Sequence, residues 1–175
     1  KIDLGMLSML YNSADVTVGL SDAEGFGLST FESLACETPI IVTMTGGLQE
    51  QVSNFDNITH EFMIKRNNSK ELVTEYEHGI GIEPASKSII GSQQVPFIYE
   101  DRISGKDVVN SFMKMYEYGK EKRNSLGQAG RQHVLENYNF ENFFKKWEKI
   151  LTDIYNNKGS WKNRKGYQKW ELMEV

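Results

Sequence analysis

Residues 4–13 (LGMLSMLYNS) carry Leu4, Leu7, Met9, Leu10 and Tyr11 at spacings that predict a short helix, closed by Ala14-Asp15. Val16 to Leu20 reads as a strand. Ser21 to Gly27 is a polar, glycine-bearing turn, and Leu28, Phe31, Leu34 and Ala35 then mark the buried stripe of a helix that Pro39 limits. Ile40, Ile41 and Val42 form the continuous apolar run expected of a parallel strand buried on both faces. Strand, helix and strand within about 30 residues make a βαβ unit with a right-handed crossover. The fold class that follows is α/β, a Rossmann-like parallel sheet flanked by helices.

Gly46-Gly47 turns the chain into a short helical segment, Leu48 to Val52. From Ser53 to Glu77 no period is sustained, and the stretch reads as an insertion with some helix. Gly79 to Pro84 alternates like a short strand, Ala85 to Pro96 is irregular, and Phe97, Ile98 and Tyr99 suggest an edge segment. The last third is helical by periodicity, in three stripes. The first is Val109, Phe112 and Tyr116; the second is Leu126, Gly130, His133, Val134 and Asn137. The third and strongest is Phe140, Phe143, Phe144, Trp147, Ile150, Leu151 and Ile154, with Lys145, Lys146 and Lys149 facing out and the aromatic face expected against the sheet layer. The organisation expected is one domain over residues 1–157, with insertions near 53–78 and 85–104, followed by a tail over 158–175 that interleaves basic and aromatic residues.

Composition narrows the class. With glycine counted and tyrosine left out, about 43% of the 175 residues are apolar, near the usual soluble range, so disorder is not the expectation. No apolar run reaches the length of a membrane span. Twenty Lys and Arg against 24 Asp and Glu leave a net charge of −4, which gives no general attraction to nucleic acid. The lone Cys36 has no partner for an internal disulfide, which favours a reducing compartment and a cytoplasmic location. The amino terminus shows neither a starting Met nor the apolar core of a signal peptide, as expected of a piece cut from a longer chain or of a processed one. Without a leader, Asn57-Ile-Thr59 and Asn67-Asn-Ser69 read as chance matches to the glycan acceptor pattern.

The stretch Glu24-Gly-Phe-Gly-Leu-Ser-Thr-Phe-Glu32 carries the chemistry, because it lies between a strand end and a helix, where open α/β sheets bind ligands. Gly25 and Gly27 allow close backbone approach, and the free N–H groups of a helix beginning near Leu28 suit a phosphate. Glu32, one turn in, is placed to accept from a diol such as the two hydroxyls of a ribose. A plain alternative stands level with this: Glu near a helix start also compensates the dipole, and the glycines also serve a turn. His60, His78 and His133 are scattered and read as structural or surface residues, with no ligand cluster for a metal. Cys36, on a buried helix, reads as a packing residue.

Tyr11-Asn-Ser-Ala-Asp-Val16, Ser21, EGFGLSTFESLACETPIIV and Thr45-Gly-Gly47 resemble the carboxyl-terminal domain of a retaining glycosyltransferase of family 4, with the GT-B fold. Gly127-Gln-Ala-Gly-Arg131, Val134, Tyr138 and the aromatic helix resemble its closing helices. The resemblance implies that Glu32 binds the ribose of a nucleotide and that Glu24 lies beside the donor hexose as the catalytic carboxylate. It places the amides of Phe26, Gly27 and Leu28 on the sugar and diphosphate, gives Gly25 close approach, and sets Ser21, Gly46 and Gly47 along the same cleft. The implied reaction moves a sugar from a nucleotide diphosphate to an acceptor hydroxyl with retention, without cofactor or metal. Two departures stand out: Glu37 where the family usually has Gly, and Leu20 in place of a common Pro.

The family's diphosphate-gripping cations, base-binding strand and amino-terminal acceptor-binding domain precede the residues present, so the chain resembles the donor-binding half of a hexosyltransferase, inactive alone. The expected partners are a nucleotide sugar and that missing domain, with no nucleic acid. Peripheral membrane contact is the further option raised by the lysines and tryptophans of the tail. A GT-B sugar-nucleotide epimerase and a non-catalytic sugar-nucleotide-binding module remain alternative functions.

Overall fold

The structure, a computed structural model, describes residues 2–54, 71–160, 162–163 and 166. Two compact units divide the chain, residues 1–136 and 137–175.

The first unit opens with helix α1 (Leu4–Ser13), whose N-cap Asp3 accepts from the amides of Gly5 and Met6. Strand β1 (Thr17–Gly19) follows, then helix α2 (Leu28–Ala35), strand β2 (Ile40–Thr43) and helix α3 (Leu48–Val52). Strand β3 (Val73–Tyr76) returns antiparallel to β4 (Gly79–Ile82), giving a sheet of order β1-β2-β4-β3 in which β1, β2 and β4 run parallel. The βαβ unit forms over the expected residues, and the alternation at 79–82 belongs to an inner strand. Residues 73–76 are a strand that no periodicity marked. Most of the rest of that stretch, 55–70, lies outside the described residues and includes His60 and both Asn-x-Ser/Thr matches.

The apolar run of β2 packs both ways. Ile40 and Val42 join Leu34, Met44, Leu48, Val52, Tyr76 and Val134 on the face covered by α2 and α3. Ile41 joins Ile80, Ile82, Met115 and Leu126 on the other. Ile40, Ile41 and Val42 are all 0% exposed, and each fully buried side chain of this size is worth about 1.5–3 kcal/mol.

Beyond the sheet, Ala85 to Pro96 is not irregular. Strands β5 (Ser86–Ser92) and β6 (Val95–Arg102) form an antiparallel ribbon, exposed over most of its length, with Ile89 opposite Tyr99. Its pattern escaped the sequence because a ribbon wet on both faces needs no alternation. Helix α4 (Gly105–Glu117) follows, capped by Ser104, and then α5 (Gly119–Asn137). On α4 the stripe of Val109, Phe112 and Tyr116 is exposed, and the buried face is Ser111 and Met115, with Val108 partly covered. On α5, Leu126, Gly130, His133 and Val134 of the second stripe are buried, while Asn137, at the end of the helix, is exposed.

In the second unit, helix α6 (Phe140–Lys158) is capped by the Asn139 side chain and ends at Gly159. Phe140, Phe143, Phe144 and Trp147 contact one another along the helix, with ring centroids 5.8–6.2 Å apart. No residue of α6 is buried, and Trp147 is 48% exposed. The expected burial of this aromatic face is therefore corrected: periodicity shows that a face is apolar, not what covers it. The tail beyond 160 lies mostly outside the described residues.

Candidate functional site

The parallel strands β1 and β2 end at the same edge of the sheet, and two loops leave there side by side. The first, Ser21–Gly27, joins β1 to α2; the second, Met44–Gly47, joins β2 to α3. Gly47 N–H donates to Glu24 O (3.2 Å). The contact is backbone on backbone, since a Cβ on Gly46 would lie 1.8 Å from Glu24 O, and one on Gly47 would lie 2.6 Å from Gly25 O and 2.8 Å from Phe26 Cα. Gly46 and Gly47 thus form the seat of the first loop rather than a separate wall.

Gly27, the N-cap of α2, has φ +88°, a left-handed conformation that glycine adopts without strain. A side chain there would also meet Leu48 Cδ2 at 2.5 Å. Leu28 follows, 68% exposed. Glu24 is half-buried and its Oε1 accepts the amide of Phe26 at 3.4 Å, so that amide is held by its own loop. The Phe26 ring packs against Phe31 of α2, with centroids 5.2 Å apart.

Glu32 lies in the second turn of α2, half-buried, and its Oε2 accepts from the Tyr11 hydroxyl at 2.9 Å. Burial first, and then the bond to Glu32, push the Tyr11 hydroxyl up to about 12. Ser21 is half-buried at the start of the loop. The structure thus brings Glu24, Gly25, Phe26 and Gly27 onto Gly46 and Gly47, with Leu28 and Glu32 following on the attached helix.

The sequence reading did not single out two partners of this loop. Arg102, at the end of β6, makes ion pairs with Asp22 and with Glu100 (2.9 Å for the latter), and Asp101 N–H donates to Asp22 O at 2.8 Å. The base of the ribbon is therefore tied to the Ser21–Gly27 loop. Gln51 is the second, a fully buried polar side chain on α3 between the apolar Leu48 and Val52. Its interruption of that apolar stripe is the one sequence signal that marks it.

His78 and His133, far apart in sequence, pack together with centroids 4.6 Å apart. Both are buried and both are held below the usual histidine range, His133 at about 4, by burial first and by mutual repulsion for His133. Among the described residues no three His, Cys, Asp or Glu side chains gather as a metal site. A polar cavity of about 370 Å³, lined by Asn12, Asp15, Cys36, Lys120 and Arg123 among others, opens at the opposite edge of the sheet.

The family model of the glycosyl transferases group 1 matches residues 3–90, from α1 through the loop, both carboxylates and the glycine seat into β5. The chain belongs to this family. Within the group 1 glycosyl transferases, it is similar to two D-inositol 3-phosphate glycosyltransferases. That of Paenarthrobacter aurescens is 44% identical over 48 residues, 27% of this chain and 12% of that protein. That of Thermomonospora curvata is 47% identical over 47 residues, 27% of this chain and 11% of that protein. The solved sucrose-phosphate synthase of Thermosynechococcus elongatus superposes with a TM-score of 0.59 at 21% identity, over 90% of this chain and 29% of that one. That likeness is one of fold: the group 1 chain is a mixed α/β domain of the GT-B glycosyltransferase kind. It matches about an eighth or less of the length of these curated relatives.

Proposed function

We propose that this group 1 chain is the donor-binding half of a family 4 glycosyltransferase. It holds a nucleotide diphosphate sugar whose hexose passes to an acceptor hydroxyl with retention at the anomeric carbon. The observation that carries the reading is the Glu24–Leu28 loop, seated on Gly46 and Gly47 at the carboxyl edge of the parallel sheet, with one carboxylate on the loop and a second a turn into α2. The bond from the anomeric carbon to the diphosphate breaks with its electron pair on the leaving group. Positive charge then builds on the sugar ring beside Glu24, while negative charge builds near the start of α2. Glu32, braced by Tyr11, accepts from the ribose hydroxyls.

In this reading the acceptor is held by an amino-terminal domain that the chain does not contain, so the 175 residues bind donor without turning over. The lone Cys36 fits a reducing, cytoplasmic setting. No described helix is long and apolar enough to cross a membrane.

The test is a ¹H–¹⁵N titration of the chain with UDP-, GDP- and ADP-sugars, which detects even millimolar affinity. Shifts centred on residues 24–32 and 46–47 are expected for one nucleotide, with no sugar transfer by the chain alone. No shift at those residues with any of the three would contradict donor binding. Transfer at an ordinary enzymatic rate by the isolated chain would contradict the half-enzyme reading.

A further inference from the structure

Gln51 uses the whole of its side-chain amide on the ligand loop. Its Nε2 donates to Phe26 O at 2.5 Å and to Gly27 O at 3.0 Å, and its Oε1 accepts from the Thr30 hydroxyl at 2.7 Å. The side chain is 0% exposed, and its own backbone carbonyl accepts from His78 Nδ1 at 2.8 Å. Both amide hydrogens and the amide oxygen thus have partners, which is what burial of a glutamine demands. Carbonyl partners on one end and a hydroxyl on the other also fix which way round the amide sits, since carbonyls only accept.

The consequence lies on the opposite side of the loop. Every peptide bond described is trans, and in a trans peptide the C=O and the following N–H point in opposite directions across one plane. The Phe26 carbonyl shares its plane with the Gly27 amide, and the Gly27 carbonyl shares its plane with the Leu28 amide. Drawing the Phe26 carbonyl inward onto Gln51 turns the Gly27 N–H outward; the Gly27 carbonyl is held inward jointly by Gln51 and by the Phe31 amide at 3.1 Å, the first bond of α2, and the Leu28 N–H turns outward with it. Among the described residues, neither of these two amides has a protein acceptor, and Leu28, the first residue of α2, has none to expect within its helix. The arrangement is that of a loop whose amides are aimed by a fixed group behind it.

We propose that Gln51 is a positioning residue of the donor site, which aims the Gly27 amide at the diphosphate by holding the Phe26 carbonyl behind it, and which shares with the first bond of α2 the holding of the Gly27 carbonyl behind the Leu28 amide. The inference rests on the donor-binding reading above and adds a residue to it. An apolar side chain at position 51 would complete the stripe of Leu48 and Val52 but would leave the part-buried Phe26 carbonyl without its donor, while the Gly27 carbonyl would keep the Phe31 amide at 3.1 Å and the Thr30 hydroxyl at 3.0 Å. A fixed donor behind the loop makes the amides ready before the ligand arrives, so that no reorganisation is required on binding.

The test compares Gln51→Leu, Gln51→Glu and Val52→Ala with the wild-type chain, titrating UDP, GDP and ADP by ¹H–¹⁵N spectroscopy and measuring thermal stability alongside. Val52→Ala loosens the same helix without touching the loop carbonyls. For the nucleoside diphosphate that binds wild type best, both Gln51 variants are expected to lose tenfold or more in affinity at pH 8, and Val52→Ala less than threefold. Gln51→Glu keeps the shape but presents an acceptor where a donor is needed. Its deficit relative to wild type at the same pH should narrow as the pH falls towards 5.5, when a protonated carboxyl regains one O–H donor. Wild-type-like affinity in folded Gln51 variants, or losses matched by Val52→Ala at equal destabilisation, would overturn the role of Gln51 and leave donor binding standing. Failure of the wild type to bind any of the three would overturn donor binding itself, and the inference with it.

Discussion

The Tyr11 hydroxyl donates to Glu32 Oε2 at 2.9 Å, joining α1 to the second turn of α2. A carboxylate that is to accept from a diol has to present its plane in one orientation, and a bond to one oxygen from a half-buried tyrosine restricts that plane. The same residue binds α1 to α2 again, since the Thr38 hydroxyl, just past α2, donates to Tyr11 O at 2.9 Å. Tyr11→Phe removes only the hydroxyl. It should weaken nucleoside diphosphate and nucleotide sugar binding equally, by about 0.5–1.5 kcal/mol for one hydrogen bond, as measured by calorimetry with both ligands. Loss confined to the nucleotide sugar would place Glu32 away from the ribose.

Glu37 has φ +62° immediately after α2, a left-handed conformation that costs a residue with a side chain roughly 1–2 kcal/mol. It is the position at which the family resemblance expects Gly. Among the described residues its side chain makes only an exposed contact with Arg131 at 3.6 Å, of little worth in water. Glu37→Gly should raise stability by about 0.5–1 kcal/mol, part of the relief being lost to the freer unfolded chain. Urea denaturation reads this directly, and a destabilised variant would mean that Glu37 has a role its geometry does not reveal.

His78 and His133 make stability fall on the acid side. Both are held neutral in the fold below the ordinary range, so the unfolded chain binds more protons as the pH drops. Their contribution is complete above about 6.5, the unfolded value, and is lost progressively down to about 4, where His133 titrates in the fold. A hydrogen bond with the Glu50 backbone, and then the Glu136 and Glu77 carboxylates, oppose the shift of His133 without cancelling it. The loss from His133 is on the order of 3 kcal/mol over that window. Urea unfolding at pH 7.5, 6.0 and 5.0 should show the decline, and His133→Phe should flatten it.

The parallel core was legible because β2 is apolar without interruption and the glycine-bearing turn after β1 leads straight into an amphipathic helix. The order of strand, glycine-bearing turn and helix put Glu24, Gly25, Gly27 and Glu32 at a strand end, while Gly46, Gly47 and the roles of the carboxylates came from the family resemblance. Other parts were not legible, three of them for reasons that differ. The ribbon of β5 and β6 is wet on both faces and so carries no period. The buried face of α4 centres on Ser111 and Met115, and a small polar residue at a tight contact looks like a surface position in sequence. Gln51 is polar, yet its role depends on two carbonyls twenty-four and twenty-five residues away, a relation that only the packing of α3 under the ligand loop creates.

The central claim is that the two carboxylates divide the donor between them. Calorimetry with nucleoside diphosphate and with nucleotide sugar, on Glu32→Ala and Glu24→Gln in the complete enzyme, tests it most directly, alongside a rate assay. Glu32→Ala should weaken both ligands alike, by about 1.5–3 kcal/mol, because both carry the ribose. Glu24→Gln should leave diphosphate affinity nearly unchanged and lower turnover, because Glu24 acts where positive charge develops. Equal loss of diphosphate affinity in the two variants would contradict the division, and unchanged affinity and rate in both would remove this loop from the active site.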